Sequence, residues 1–334
     1  MAVISGTTSV HGVGTAGGIR EDLSDVIFDL FPEDTWAMSN LDREDASSTY
    51  TEWLAQELAT PSNTNIRIEG DDASYASLTA PARYASYLQI SSKDFLASDT
   101  LEAVNKAGRK SELVRGAMVK MRELKRDMET RITQNGISTI GGSGTGRSTA
   151  GMESWIGDAT ASSAEASHVV LSTTTASATT PPLTSGVAGT APTDGTTLGA
   201  LTAQDLNFAL EAAWSDGGDP RVILTGTIGK GYIDTFTGVA TRMVDVGKSD
   251  QASIIGAANL YVSDFGRHQV VLHRYMRSST VLCLDPDYWA VRYLRKIQKR
   301  KLAKTGDAEK FQLIGEWALV ARNWKANSKV VAIS

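Results

Sequence analysis

The 334-residue chain has 41% hydrophobic and 21% charged residues and a formal net charge of −5, which describes a folded globular protein and argues against tight nonspecific nucleic-acid binding. Its single cysteine, Cys283, rules out an internal disulfide and fits a reducing compartment. No apolar run reaches the ~18 residues of a membrane span, and Met1 to Gly18 lacks the basic and apolar regions of a signal peptide.

Residues 1–18 read as a small-residue, glycine-rich tail. Glu21 to Leu30 suits a short helix with Leu23, Val26, Ile27 and Leu30 on one face, stopped by Pro32. Tyr50–Leu54 and Arg83–Ile90 read as two strands, joined by a long polar excursion that carries Pro61, Glu69, Asp71 and Asp72. An isolated two-stranded hairpin is marginal in water, so this one is expected to lie on another surface.

Ser98 to Asn135 contains no proline and is expected to form one helix of 38 residues, about 57 Å long at ~1.5 Å per residue. Its apolar positions step by three or four from Val114 through Met118, Met121, Leu124, Met128 and Ile132. Asp99 with Glu102 suits the start and Asn135-Gly136 the stop. A rod of that length, joined to an arm from Ser47 to Ala97 too polar for its own core, implies that partner subunits complete the structure.

Gly136 to Ala200 is rich in glycine, serine, threonine and alanine with five charges, and reads as loops and short strands on an exposed surface. From Thr202 the pattern becomes compact. A capped helix carries Leu206, Leu210 and Trp214, a buried strand runs from Arg221 to Leu224, and a helix from Thr227 to Phe236. Strands follow at 260–263, 269–273, 280–284, 289–294, 311–321 and 330–333. Helices and strands mix without βαβ alternation, so the class is α+β.

Three glycine patterns look chemical. Gly12-x-Gly14-x-x-Gly17 matches the dinucleotide fingerprint but lacks the buried strand that must aim the turn. Gly141-x-x-x-x-Gly146-Arg147-Ser148 resembles a phosphate-cradling loop, with a planar guanidinium where a compact ammonium belongs, and it follows a helix. Gly226-x-x-Gly229-Lys230-Gly231 does follow a strand, and a plain βα turn explains it equally well. The histidines (His11, His168, His268, His273) form no metal spacing. No catalytic residue, cofactor or metal is assigned.

Charge is distributed unevenly. Glu21 to Asp72 holds fourteen acids against two bases, Arg43 and Arg67, while Asp287 to Lys310 holds eight bases against three acids. A solvated face and a nucleic-acid patch are two readings; complementary contact between the acidic arm of one subunit and a basic loop of another is the preferred one. The candidate inter-subunit residues are therefore Glu69, Asp71, Asp72, Arg292, Arg295, Lys296, Lys299, Arg300 and Lys301.

In order and spacing, several stretches resemble the major capsid protein of tailed double-stranded-DNA bacteriophages, a fold shared with encapsulins. They include Arg20-Glu-Asp-Leu-Ser-Asp-Val-Ile27, Tyr50-Thr-Glu-Trp53, Glu69-Gly-Asp-Asp-Ala73, Glu123-Leu-Lys-Arg-Asp-Met-Glu129, Gly151-Met-Glu-Ser-Trp-Ile156 and Ala303-Lys-Thr-Gly-Asp307. The resemblance covers Ile19 to Ser334 and is weakest from Ala159 to Gly199. It implies an N-terminal arm (1–46), an extended loop (47–95), a peripheral domain with a spine helix (96–136 and 285–325) and an axial domain (137–284 and 326–334, with 159–199 a possible insertion).

The function it implies is self-assembly into hexamers and pentamers of an icosahedral head enclosing double-stranded DNA, built in the host cytoplasm, without catalysis. Implied partners are a separate scaffold protein, a portal, possible cement proteins and weakly contacted DNA, with no membrane. The alternatives are an encapsulin-like shell around protein cargo and a nucleotide-binding enzyme using Gly226–Gly231.

Overall fold

The computed structural model describes residues 26–32, 35–59, 61–70, 72, 75, 77–78, 80–157, 168–172, 178–179, 186–188, 191–236 and 259–334. In chain order the elements are α1 (Trp36–Asn40), β1 (Asp42–Asp45), β2 (Tyr50–Ala55), β3 (Ala82–Tyr87), β4 (Gln89–Ser98), α2 (Asp99–Ala103), α3 (Glu112–Thr133) and α4 (Met152–Trp155). There follow β5 (Val169–Leu171), β6 (Ala178–Thr179), β7 (Thr193–Asp194), α5 (Ala203–Ser215), β8 (Val222–Thr225) and α6 (Thr227–Thr235). The chain ends with β9 (Leu260–Ser263), β10 (Gly266–Leu272), β11 (Val281–Leu284), β12 (Trp289–Lys301), β13 (Ala308–Ala321) and β14 (Ser328–Val331).

Among the described residues four sheets form. A four-stranded sheet has the order β1-β12-β13-β4, and a six-stranded sheet the order β5-β14-β11-β8-β10-β9; β2 pairs with β3 and β6 with β7. The strands central to the six-stranded sheet, β8, β11 and β14, are buried at every position, which is why they read as short runs without alternation. Helix α5 covers this sheet through Leu206, Ala209 and Leu210, and Thr202 with Asp205 forms the capping box that its sequence announces.

The expected 38-residue rod is two helices. Helix α3 has 22 residues, about 33 Å at ~1.5 Å per residue, and α2 has five. Between them Gly108 takes a left-handed turn (φ +70°), and Ser111 restarts the helix by accepting a hydrogen bond from the Val114 N–H at 3.3 Å. Ser98 caps α2 in the same way through Leu101. The residues preceding Ser98 form β4, paired with β13 from Trp317–Gln89 to Ala308–Ser98.

Two other expectations change. Of the expected helix from Glu21 to Leu30, residues 21–25 lie outside the described residues, and 26–30 are not helical. The basic run from Arg292, expected as a loop, is mostly strand: β12 continues to Lys301 against β13, with register shifts between Tyr293 and Gln298.

Candidate assembly surfaces

The N-terminal arm is fastened to its own subunit by buried charge. Glu129 lies on the inner face of α3 beside Met128 and Ile132 and is fully buried. Its carboxylate accepts the N–H groups of Ala37 (2.7 Å) and Met38 (2.9 Å) in α1, and lies 2.9 Å from Nε2 of His273. One side chain thus ties together the arm, the long helix and the segment after β10.

Strand β1 then runs parallel to β12, with Glu44 opposite Arg292. Glu44 accepts from Arg292 Nε and Arg322 Nη2, both at 2.6 Å, and Asp42 accepts from Arg322 at 2.8 Å. Burial pushes the Glu44 carboxyl upward, but the hydrogen bonds from Arg322 and Arg292 outweigh it and hold the group below its ordinary value.

The hairpin β2–β3 divides into a seated base and a projecting tip. In the base, Trp53 donates Nε1–H to the Ala321 carbonyl (2.8 Å) and packs 5.4 Å from the Trp155 ring, while Tyr84, Ala85 and Ser86 are buried. The base therefore folds onto its own chain, where the composition of residues 47–97 suggested that it needs a neighbour. Beyond the closing pair Ala55–Ala82 the described residues change character. Leu58, Ile66, Ile68, Tyr75 and Leu78 are between 79% and 98% exposed.

Of the candidate contact residues, Glu69 and Asp72 are exposed in this tip and Asp71 lies outside the described residues. The basic candidates are spread along β12. Arg292 pairs with Glu44, and Arg295 donates Nε–H at 2.9 Å to Glu316, a buried carboxylate that also accepts from Arg147 at 2.6 Å. Lys296 lies 3.3 Å from Asp45, Lys301 2.8 Å from Glu309, and the Lys299 ammonium 3.9 Å from the Phe311 ring centre. Arg300 is exposed. The acids that meet this run come from the same chain, Glu44 and Asp45 from its arm and Glu309 and Glu316 from β13, where the sequence suggested the arm of another subunit.

The chemical-looking motifs fall to packing. Gly141–Ser148 is a tight turn closed by hydrogen bonds between Gly142 and Thr145. At Gly229 a Cβ would sit 2.7 Å from Val281 Cγ2, so the glycine lets α6 approach β11. The Gly12–Gly17 pattern and His11 lie outside the described residues. His168 meets Asp216 at 2.9 Å, and His268 bridges the Pro220 carbonyl and Ser263. Cys283 is buried, and burial pushes its thiol up to about 12. No metal-binding group of three or more ligand residues occurs among the described residues.

Sequence reasoning missed a buried polar network around Glu153. Glu153 accepts from Arg277 at 2.5 Å, Arg277 also pairs with Asp194, and Lys329 donates to the Glu153 carbonyl at 2.6 Å. Burial lowers the Lys329 amine to about 8. Its sequence signal, single charges inside apolar runs such as Ser328-Lys-Val-Val331, was present but local.

Comparison with known proteins agrees with this architecture. The capsid of a native GTA particle computed with C5 symmetry superposes with a TM-score of 0.64 at 11% identity, covering 98% of this chain and 100% of that one. The cyanophage A-1(L) capsid asymmetric unit gives 0.62 at 14% identity, covering 94% and 97%. A Phage G structure of major capsid proteins with decoration proteins gives 0.56 at 11% identity, covering 98% and 100%. No curated protein matches in sequence. A model of the SU10 major capsid protein matches residues 4–334. The chain belongs to the SU10 major capsid protein family, and it is a structural protein of the tailed-phage virion.

Proposed function

We propose that the chain assembles into hexamers and pentamers that form an icosahedral head around double-stranded DNA, and that it does no catalysis. The exposed tip between β2 and β3 carries this reading. Five large aliphatic or aromatic side chains on one projecting segment are a liability for a solitary soluble protein and fit a subunit that buries them against sister copies. The projecting tip would be the extended loop, the four-stranded sheet with α3 the peripheral domain, and the six-stranded sheet the axial domain.

Glu69, Asp71 and Asp72 are the acidic contacts in this reading, and Lys296, Lys299, Arg300 and Lys301 the basic ones. Arg292 and Arg295 serve mainly to hold the subunit together. A separate scaffold protein, a portal, cement proteins, weak contact with packaged DNA and assembly in the host cytoplasm complete the picture. Repetition of weak contacts permits correction of errors and still gives a durable shell.

Purified chain is expected to appear by size exclusion and negative-stain microscopy as hexamers, pentamers or larger shells. Replacing residues 56–81 with Asn-Gly across the Ala55–Ala82 pair should preserve the circular-dichroism melt and abolish those particles. A wild-type chain that remains a compact monomer at all concentrations refutes the reading.

A further inference from the structure

The stretch 159–199, where the resemblance to capsid sequences is weakest, holds to the rest of the subunit through backbone carbonyls. Gly186 accepts the Ala85 N–H of β3 at 3.0 Å, and Ala188 accepts the Ser138 N–H at 2.8 Å. Pro192 accepts the Asn135 side-chain amide at 2.8 Å and an Arg277 N–H at 3.2 Å. Carbonyls between Gly186 and Pro192 thus reach the hairpin, the connection that leaves α3, and the segment between β10 and β11. Two residues on, Asp194 pairs with Arg277, the guanidinium that also holds the buried Glu153.

The fit against β3 is specific to glycine. Gly186 has φ +77°, and a Cβ there would lie 2.1 Å from the Arg83 carbonyl oxygen, so a side chain would push this backbone off the strand. Ala188, 1% exposed, packs into the larger core. The Ala85 and Tyr87 N–H groups of β3 find acceptors outside the hairpin; Gly186 takes the first and Ser138 Oγ the second, at 3.0 Å. That edge of the ribbon is therefore closed. Elsewhere the hairpin base is seated by one face, through Trp53 on the Ala321 carbonyl and the Trp155 ring. A two-stranded ribbon held by one face alone can swivel about that contact. A second attachment along its edge removes the freedom.

We propose that residues 186–188 and 191–194 form a brace that sets the direction in which the β2–β3 hairpin leaves the subunit. One end grips β3 at Ala85. The other is anchored by Asp194 on Arg277, between two strands of the six-stranded sheet. The hairpin and that sheet then turn as one body. The purpose of a fixed bearing rests on the shell-forming reading above, since a loop that meets sister copies must point the same way in each. The brace itself is a property of the single chain.

The test uses the unassembled full chain and amide hydrogen exchange. Asp194→Ala removes the distant anchor, leaves Arg277 with Glu153, and replaces no residue that touches β3. Exchange at Ala85 is expected to rise on the order of tenfold, the factor that loss of about one hydrogen bond's net stabilisation gives, while amides of β8 and β11 keep their protection. A turn that merely covers the strand edge would not pass the loss at Asp194 on to Ala85, so an unchanged Ala85 rate overturns the brace. Gly186→Ala should raise the same rate directly, and the Asp194 variant carries the test if that protein fails to fold.

Direction is read separately by spin labels on Leu54→Cys in β2 and Glu211→Cys in α5, both exposed; the native thiol, Cys283, is buried. The label-to-label distance should be narrowly distributed in the otherwise wild-type chain and broaden when Asp194→Ala is added. Equal widths overturn the brace and leave the shell-forming reading intact. Wild-type chain that forms no particles overturns that reading instead and leaves the brace standing.

Discussion

Glu129→Ala tests whether one carboxylate holds the arm to the body. The truncation leaves three partners in a buried site: the N–H groups of Ala37 and Met38 and the Nε2 of His273, now 2.7 to 2.9 Å from an acceptor. Each buried donor left unpaired costs ~1–3 kcal/mol. The three share one acceptor and do not add independently, so the loss expected is ~3–5 kcal/mol, the range for breaking a buried charged contact. That is a large share of the ~5–15 kcal/mol that stabilises an ordinary domain. Glu129→Gln keeps the shape but turns an NH₂ toward at least one donor, and should cost ~1–3 kcal/mol. Glu123→Ala is the control on the same helix: it removes only a half-buried pair with Lys120 (2.8 Å) and should cost below about 1 kcal/mol. Guanidinium unfolding of unassembled subunit gives the magnitudes. Limited proteolysis gives the place, since only the Glu129 variants should become sensitive between Thr35 and Ala46. A Glu129→Ala protein within about 0.5 kcal/mol of wild type, the range of an ordinary surface substitution, refutes the reasoning.

Two further outcomes follow from the ion pairs. The Glu44 carboxyl is held below its ordinary value of 4.5 in the folded chain. Its stabilising contribution is therefore fully present above that value and is lost as pH falls through the lowered one, because the unfolded chain takes up the proton first. Glu44→Gln should melt lower than wild type at pH 7 and lose less stability on acidification below pH 4.5; parallel acid limbs for the two proteins refute this. Arg295→Glu places a carboxylate against the buried Glu316 and should destabilise the subunit by ~2–4 kcal/mol, whereas Lys296→Glu and Arg300→Glu, both exposed, should stay within about 0.5 kcal/mol. Thermal melts of unassembled protein separate them, and equal effects would place all three residues in one class.

The sequence made the elements with local signatures legible and hid those fixed by distant partners. The capping box at Thr202 and Asp205, the apolar runs of β8 and β11 and the paired strands β2 and β3 were readable because the determining residues lie within a few positions of each other. Absence of proline between Ser98 and Asn135 does not make one continuous helix. Gly108 followed by Ser111 carried the break, as a left-handed turn and a new cap. Residues 26–30 have helical spacing but are not helical, and Asp29 and Phe31 meet Arg115 and Arg122 on α3, more than eighty positions away. The basic run shows the same limit for the assembly surface. Its composition indicated that acids must meet it, but not that Glu44 and Asp45 would do so within the chain by pairing β1 alongside β12. Composition is blind to register, and register decides which charges a fold consumes. What the fold leaves uncovered is the aliphatic tip between β2 and β3, the segment that the proposed assembly would bury.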